Sequence, residues 1–271
     1  MISYRAVPET SEVLFTFEGA TFGTCKLWMP EGIATPRGLA GVYPRGMRWR
    51  EHGKTLLQDA FPEHLFGPGN ISEVEPGVLE CCGVRYAKEP ALPWKSSLRI
   101  GESRVDFSLS LHNPHKTTVR EVSAPLCLKF MEADWWSPGV SFFATADGIR
   151  SIAQVPWIEG SRPQFQKWNI GSHTPFDNPV KNGIWTSNPT RATSPTWVVQ
   201  PESMGPALVF RCDSAYYIHC NRNNPCNDLA MHFGDLEPGR TKKCTGSLEL
   251  TEGATAELFA IRELDRDGRH D

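Results

Sequence analysis

The feature that most constrains this chain is the way short apolar or alternating runs are cut, from one end to the other, by glycine, proline, asparagine and aspartate. Its 271 residues include 23 Gly and 22 Pro, which cost about 1 and about 3 kcal/mol, respectively, inside a helix. A coiled coil or an array of helical repeats is therefore excluded. Runs of strand length bounded by turn residues predict a sandwich or barrel. A hydrophobic fraction of 39%, with 10% aromatic residues, is enough for a core, and the length suits one large all-β unit or two small ones.

The clearest alternation is 105–112. Val105, Phe107, Leu109 and Leu111 point one way and Asp106, Ser108, Ser110 and His112 the other, because successive strand side chains alternate faces. Residues 113–116 read as a turn and 119–130 as the returning strand. Further strands are expected at 12–17, 25–28, 77–84, 97–100, 142–144, 149–155, 196–199, 207–211, 215–221, 229–233, 246–250 and 255–261. Only 54–66 has helical character, and Pro62 interrupts it. No linker, charge run or repeat divides the chain, so one β-sandwich domain over 1–271 is expected, with the charged residues 262–271 frayed. The stretch 157–196 differs. It carries five prolines and Trp157, Trp168 and Trp185 with little periodicity, and reads as a long aromatic loop over a site or the surface.

A formal net charge of -3 gives no global attraction for nucleic acid or an anionic membrane. No run approaches the ~18 apolar residues of a membrane span, and the start lacks the apolar core of a secretory signal, so a cytoplasmic location is expected. Eight cysteines are too dilute for a disulfide scaffold of this length. The nearest approach to a metal spacing, Cys220 and Cys226 with His219 and His232 nearby, matches no standard zinc pattern. Reduced, mostly buried thiols are expected, with no metal and no cofactor.

The familiar nucleotide, triad-hydrolase and zincin motifs are absent. What remains is a set of polar and aromatic clusters. In 216–224, Tyr216, Ile218 and Cys220 are expected to share a core face, and Tyr217, His219 and Asn221 the opposite one, followed by Arg222 and Asn223. An imidazole can exchange a proton near neutral pH; His219 fits either a general acid or base on a hydroxylated ligand or a structural group tied into the Asn-rich turn. Trp135 and Trp136 follow an apolar run, and an exposed indole there would stack on a sugar; loop packing is the alternative. The 157–178 stretch adds Trp157, Glu159, Lys167, Trp168 and His173, in which Glu159 and His173 are candidate acid–base partners. His64 lies among glycine and proline, where it either binds a ligand or fixes a turn.

Two stretches carry a resemblance. Phe107-Ser-Leu-Ser-Leu-His-Asn113, followed by 119–130, resembles the central strand pair of the galactose mutarotase-like supersandwich superfamily, and Phe233-Gly-Asp-Leu-Glu-Pro-Gly-Arg-Thr241, followed by 244–250, is similar to its closing Pro-Gly turn and last strand. The resemblance spans mainly the C-terminal part of the chain. It implies a large antiparallel β-supersandwich with long loops. It also implies carbohydrate chemistry, since aldose mutarotases interconvert anomers with a Glu base and a His acid. Counting back from Pro238, the family's base position falls at Ile218 or His219. The expected Glu is absent, and the family's N-H-x-Y-F motif has no counterpart near 127–130, so the pattern departs from a standard aldose 1-epimerase.

The expected function is a cofactor-independent epimerase, isomerase or lyase acting on a sugar or sugar acid. His219, Glu159 and His173 would transfer protons; Trp135, Trp136, Trp157, Trp168, Tyr217, Asn221, Arg222, Asn223 and His64 would bind substrate. The alternatives are a noncatalytic carbohydrate-binding or assembly module, and a metal-dependent enzyme using His219, His232 and Asp235. The expected partner is a small carbohydrate; the sequence leaves the oligomeric state open.

Overall fold

A computed structural model of the chain describes residues 1–7, 12–35, 38–41, 50–51, 54–55, 70–85, 92–158, 165–170, 186–221, 224–253, 255 and 257–259. In chain order the strands are β1 (Ile2–Val7), β2 (Glu12–Phe17), β3 (Thr24–Trp28), β4 (Gly32–Thr35), β5 (Gly38–Gly41), β6 (Arg50–Glu51) and β7 (Lys54–Thr55). There follow β8 (Asn70–Glu75), β9 (Val78–Arg85), β10 (Leu92–Ile100), β11 (Arg104–His112), β12 (Val119–Phe130), β13 (Ser141–Thr145) and β14 (Gly148–Ser151). The last seven are β15 (Phe165–Asn169), β16 (Thr186–Ser187), β17 (Thr196–Val199), β18 (Ala207–Cys212), β19 (Ala215–Asn221), β20 (Asn224–Leu236) and β21 (Thr241–Thr251).

Among the described residues these strands make two large sheets, with β6 and β7 forming a separate two-stranded pair. The ten-stranded sheet runs β1-β2-β3-β12-β20-β19-β15-β16, with β4 and β5 added beside β12; the nine-stranded sheet runs β14-β13-β17-β18-β21-β11-β10-β9-β8. Pairing is antiparallel except between β15 and β16. The expected alternation in β11 is realised, with Val105, Phe107, Leu109 and Leu111 buried. They join one apolar cluster with Leu126 and Leu128 of β12 and Ile218 of β19, so the core lies between the two sheets. Strand β12 is buried continuously from Val122 to Leu128, as a central strand covered on both faces must be. No helix among the described residues is long and apolar enough to cross a membrane.

Three local expectations change. Thr255 and 257–259 are helical rather than extended. Ala254, Ala256, Glu257 and Leu258 favour helix, and Leu258 and Phe259 pack on Val198, Ala207 and Val209. Strand β14 ends at Ser151 because Ile152–Gln154 forms a 3-10 turn closed by a capping box between Ser151 and Gln154. The aromatic stretch contains a strand, β15, placed directly beside β19. The helical candidate 54–66 begins as strand β7, its remainder lying outside the described residues, as does 262–271.

Gly246 lies opposite both Phe107 and Cys212. A Cβ there would meet the Arg211 carbonyl oxygen and come within 2.5 Å of the Phe107 ring. Gly246→Ala is expected to lower stability by about 1–3 kcal/mol through overpacking, whereas Gly139→Ala, which meets only ordinary contacts, should change it by less than about 0.5 kcal/mol. Urea unfolding of the two variants measures the difference.

Candidate functional site

The two faces of the ten-stranded sheet have opposite chemistry. One packs on the nine-stranded sheet. On the other, residues directly opposite one another across neighbouring strands share a face, and the register aligns Lys167 with His219, His219 with Asp228, Asp228 with Cys127, Cys127 with Trp28, and Trp28 with Glu12. A row of polar and ionisable side chains thus crosses six strands, β15, β19, β20, β12, β3 and β2. It is nevertheless buried: Lys167 is 1% exposed and His219 and Asp228 each 3%.

His219 is the centre of this row. Its Nδ1–H donates to Oδ2 of Asp228 at 2.7 Å. A hydrogen bond of this kind sets the tautomer of a neutral imidazole, with the lone pair on Nε2. The Lys167 ammonium lies 5.4 Å from the centre of the Tyr217 ring. At the β3 end, Lys26 donates to Glu12 at 2.9 Å and sits 3.6 Å from the centre of the Trp28 ring. Ionised groups removed from water persist where they are paired or hydrogen-bonded, as Lys26 and Glu12 are.

A β-bulge alters the expected faces of β19. The register shifts between Ala215 and Tyr217, so Tyr216 leaves the core side and joins Tyr217 on the polar side. The Tyr216 hydroxyl donates to Ser123 Oγ at 2.8 Å, and its ring lies 4.8 Å from that of Tyr217 and 4.7 Å from His232. Ile218 and Cys220 keep their expected place in the core.

Burial raises the phenols of Tyr216 and Tyr217 and the thiol of Cys220 above their ordinary values. The Cys127 thiol is raised too, first by its hydrogen bond to Cys226 and then by burial. None of these four is therefore an anion near neutral pH, and Cys127 and Cys220 have no thiolate nucleophile to offer. Every cysteine is free and all but Cys82 are buried.

The structure brings together only part of the expected site. His219 and Tyr217 lie on the polar face, and Asn221 occupies the next position of that strand. Trp168 is fully buried on the core side of β15, against Phe143 at 5.3 Å and Trp157 at 5.7 Å. The alternation of the strand thus takes Trp168 away from His219. Trp157 and Trp136 are half-buried and pack on the core, as does Trp135, whose ring meets Phe22 and Phe130 edge-on and whose Nε1–H donates to the Glu132 carbonyl. Glu159, His173, His64, Arg222 and Asn223 lie outside the described residues. His232 lies four positions from Asp228 along β20, about 13 Å away, and its Nε2 is 3.5 Å from Glu121; His219 and His232 cannot share one metal ion. The sequence reading missed Asp228, which is nine residues from His219 in the chain but directly opposite it on the neighbouring strand. It also left Lys167 without a role, because nothing local indicates that Phe165–Asn169 pairs with β19.

No protein-family model matches the chain, and no curated protein matches it. Solved structures do. The galactose mutarotase-like protein from Lactobacillus casei is 8% identical with a TM-score of 0.48, covering 92% of this chain and 97% of that one. The galactose mutarotase related enzyme from Lactobacillus acidophilus is 6% identical with a TM-score of 0.46, over 94% and 99%. The aldose epimerase homologue from C. elegans is 8% identical with a TM-score of 0.44, over 93% and 96%. These similar structures are galactose mutarotase-like and aldose epimerase proteins.

The buried Glu12–Lys26 pair has side-chain exposures of 11% and 9%. Lys26→Met alone leaves the carboxylate without its lysine and is expected to cost about 3–5 kcal/mol, while Glu12→Leu combined with Lys26→Met should recover most of that loss. A double-mutant cycle by chemical denaturation reads the coupling; additive losses would contradict it.

Proposed function

We propose that this chain is a carbohydrate-active enzyme of the epimerase or isomerase type, in which His219 moves a proton on a sugar or sugar acid. The observation that carries the reading is the 2.7 Å hydrogen bond from His219 Nδ1–H to Asp228, on a buried polar face with Lys167 in the neighbouring position. A carboxylate-oriented imidazole is a general base through Nε2 and, once protonated, a general acid. Such a pair near neutral pH needs no nucleotide.

For anomer interconversion, Nε2 takes the proton of the anomeric hydroxyl as the bond between the anomeric carbon and the ring oxygen breaks, and the ring oxygen takes a proton from a second donor. Lys167 is our choice for that donor or for the partner of a substrate carboxylate, since an ammonium stabilises negative charge on oxygen. Rotation of the open-chain aldehyde and reversal of the same transfers yield the other anomer. Tyr217 and Asn221 would hold ring hydroxyls. The likeness to mutarotase-related structures agrees with this fold but does not carry the assignment.

The test uses His219→Gln. Exchange between anomers of D-glucose, D-galactose and D-glucuronate is followed by polarimetry and magnetisation-transfer NMR. The unsubstituted protein is expected to accelerate at least one of these, and His219→Gln to slow that turnover by about 10²–10⁴-fold while the circular dichroism spectrum stays unchanged. Undiminished turnover in the folded variant would exclude His219 as the proton carrier.

A further inference from the structure

The same polar face holds one more convergence of donor atoms. The sulfurs of Cys127 and Cys226 and a carboxylate oxygen of Asp228 all lie within 4.8 Å of one another, and all three residues are buried. The strand register explains why. Cys127 lies opposite Asp228 and Cys226 opposite Lys129 across the β12–β20 ladder, so the two cysteines are diagonal neighbours on one face. Their sulfurs are 3.6 Å apart. Two thiolates bound about 2.3 Å from a tetrahedral zinc ion stand roughly 3.8 Å apart, close to the spacing found here. A disulfide would require the sulfurs to approach by a further ~1.5 Å.

A second observation is independent of the cysteines. Asp228 gives Oδ2 to His219, but its Oδ1 is buried and accepts no hydrogen bond among the described residues. A carboxylate oxygen in that position is costly unless a donor or a cation meets it.

We propose that Cys127, Cys226 and Asp228 form a binding site for a thiophilic divalent cation, zinc, held by two thiolate sulfurs and Asp228 Oδ1. Each Sγ–H bond breaks as a sulfur–zinc bond forms, so two protons leave for each Zn²⁺ bound. Two sulfur donors select zinc over magnesium or calcium, which prefer all-oxygen sites. The Nδ1–H of His219 on Oδ2 orients the carboxylate from outside the ligand set, as hydrogen bonds to metal-bound carboxylates do elsewhere. Three protein donors leave one tetrahedral position for water or a ligand oxygen. The site stands whether or not His219 carries a proton in catalysis, because its three donor residues do not include His219.

Cobalt(II) is the probe, since its thiolate complexes have a charge-transfer band in the near ultraviolet that histidine and carboxylate complexes lack. The full chain, reduced and stripped with a chelator, is titrated with cobalt and then with zinc. The expected result is a band that saturates at one cobalt per chain and disappears on adding zinc. It should persist in Cys82→Ser, which removes the exposed thiol, and vanish in Cys127→Ser and Cys226→Ser. Zinc should also raise the melting temperature of the unsubstituted chain, a readout that does not depend on either variant folding. The proposal is overturned by the absence of both the band and the zinc-dependent rise, by a band that survives both substitutions, or by a Cys127–Cys226 disulfide in reduced-purified protein that binds neither ion.

Discussion

The antiparallel ladder between β12 and β20 sets the position of every side chain in the candidate site. It pairs Ser123 with His232 and continues without interruption to Lys129 opposite Cys226. Because side chains alternate with a period of two, a slip of β12 by one residue would turn Cys127 into the core and put Leu126 and Leu128 on the polar face. The apolar cost of that exchange holds the register. Asp228 then places His219 through β19, and His219 places Lys167 through β15. On the other side Cys127 places Trp28, and Trp28 places Glu12. The row is a consequence of packing on the opposite face of the same strands.

Burying such a row is costly, and the structure offsets the cost by local pairing. Lys26 meets Glu12 and the face of Trp28; His219 meets Asp228; Tyr216 meets Ser123. Pairs of this kind contribute little net stability compared with apolar residues of the same size. Groups kept at such cost are expected where chemistry requires them. Burial keeps the neighbouring phenols and the Cys220 thiol protonated, and the Asp228 carboxylate aligns the His219 ring. Asp228 lies at the junction of the two proposals, with Oδ2 on the imidazole and a carboxylate oxygen within 4.8 Å of the two sulfurs.

Much of the architecture was legible before any coordinates. The alternation in 105–112, the long apolar run 119–130 and the placement of glycine and proline indicate two packed antiparallel sheets, and both strands are found as β11 and β12. The polar face of β19 was also legible, as far as Tyr217 and His219. Its continuation was not. Tyr216 changes face because a bulge inserts one residue into the ladder, and nothing in Ala-Tyr-Tyr-Ile-His-Cys-Asn marks that insertion. The burial of Trp168 was hidden for a related reason. An indole has enough polar character to suggest a ligand platform and enough apolar area to fill a core, and burial on one face of a strand decides between them.

By itself the sequence determined the all-β class and the apolar and polar faces of 105–112, and it offered His219 as a candidate for proton transfer. These follow from local periodicity and side-chain chemistry, which are properties of neighbouring residues. Only the tertiary structure decided that Asp228 and Lys167 flank His219 and that Cys127 meets Cys226 from 99 residues away. The partners of a strand are selected by burial of whole faces and by bulges that reset the register, and those act between segments far apart in the chain.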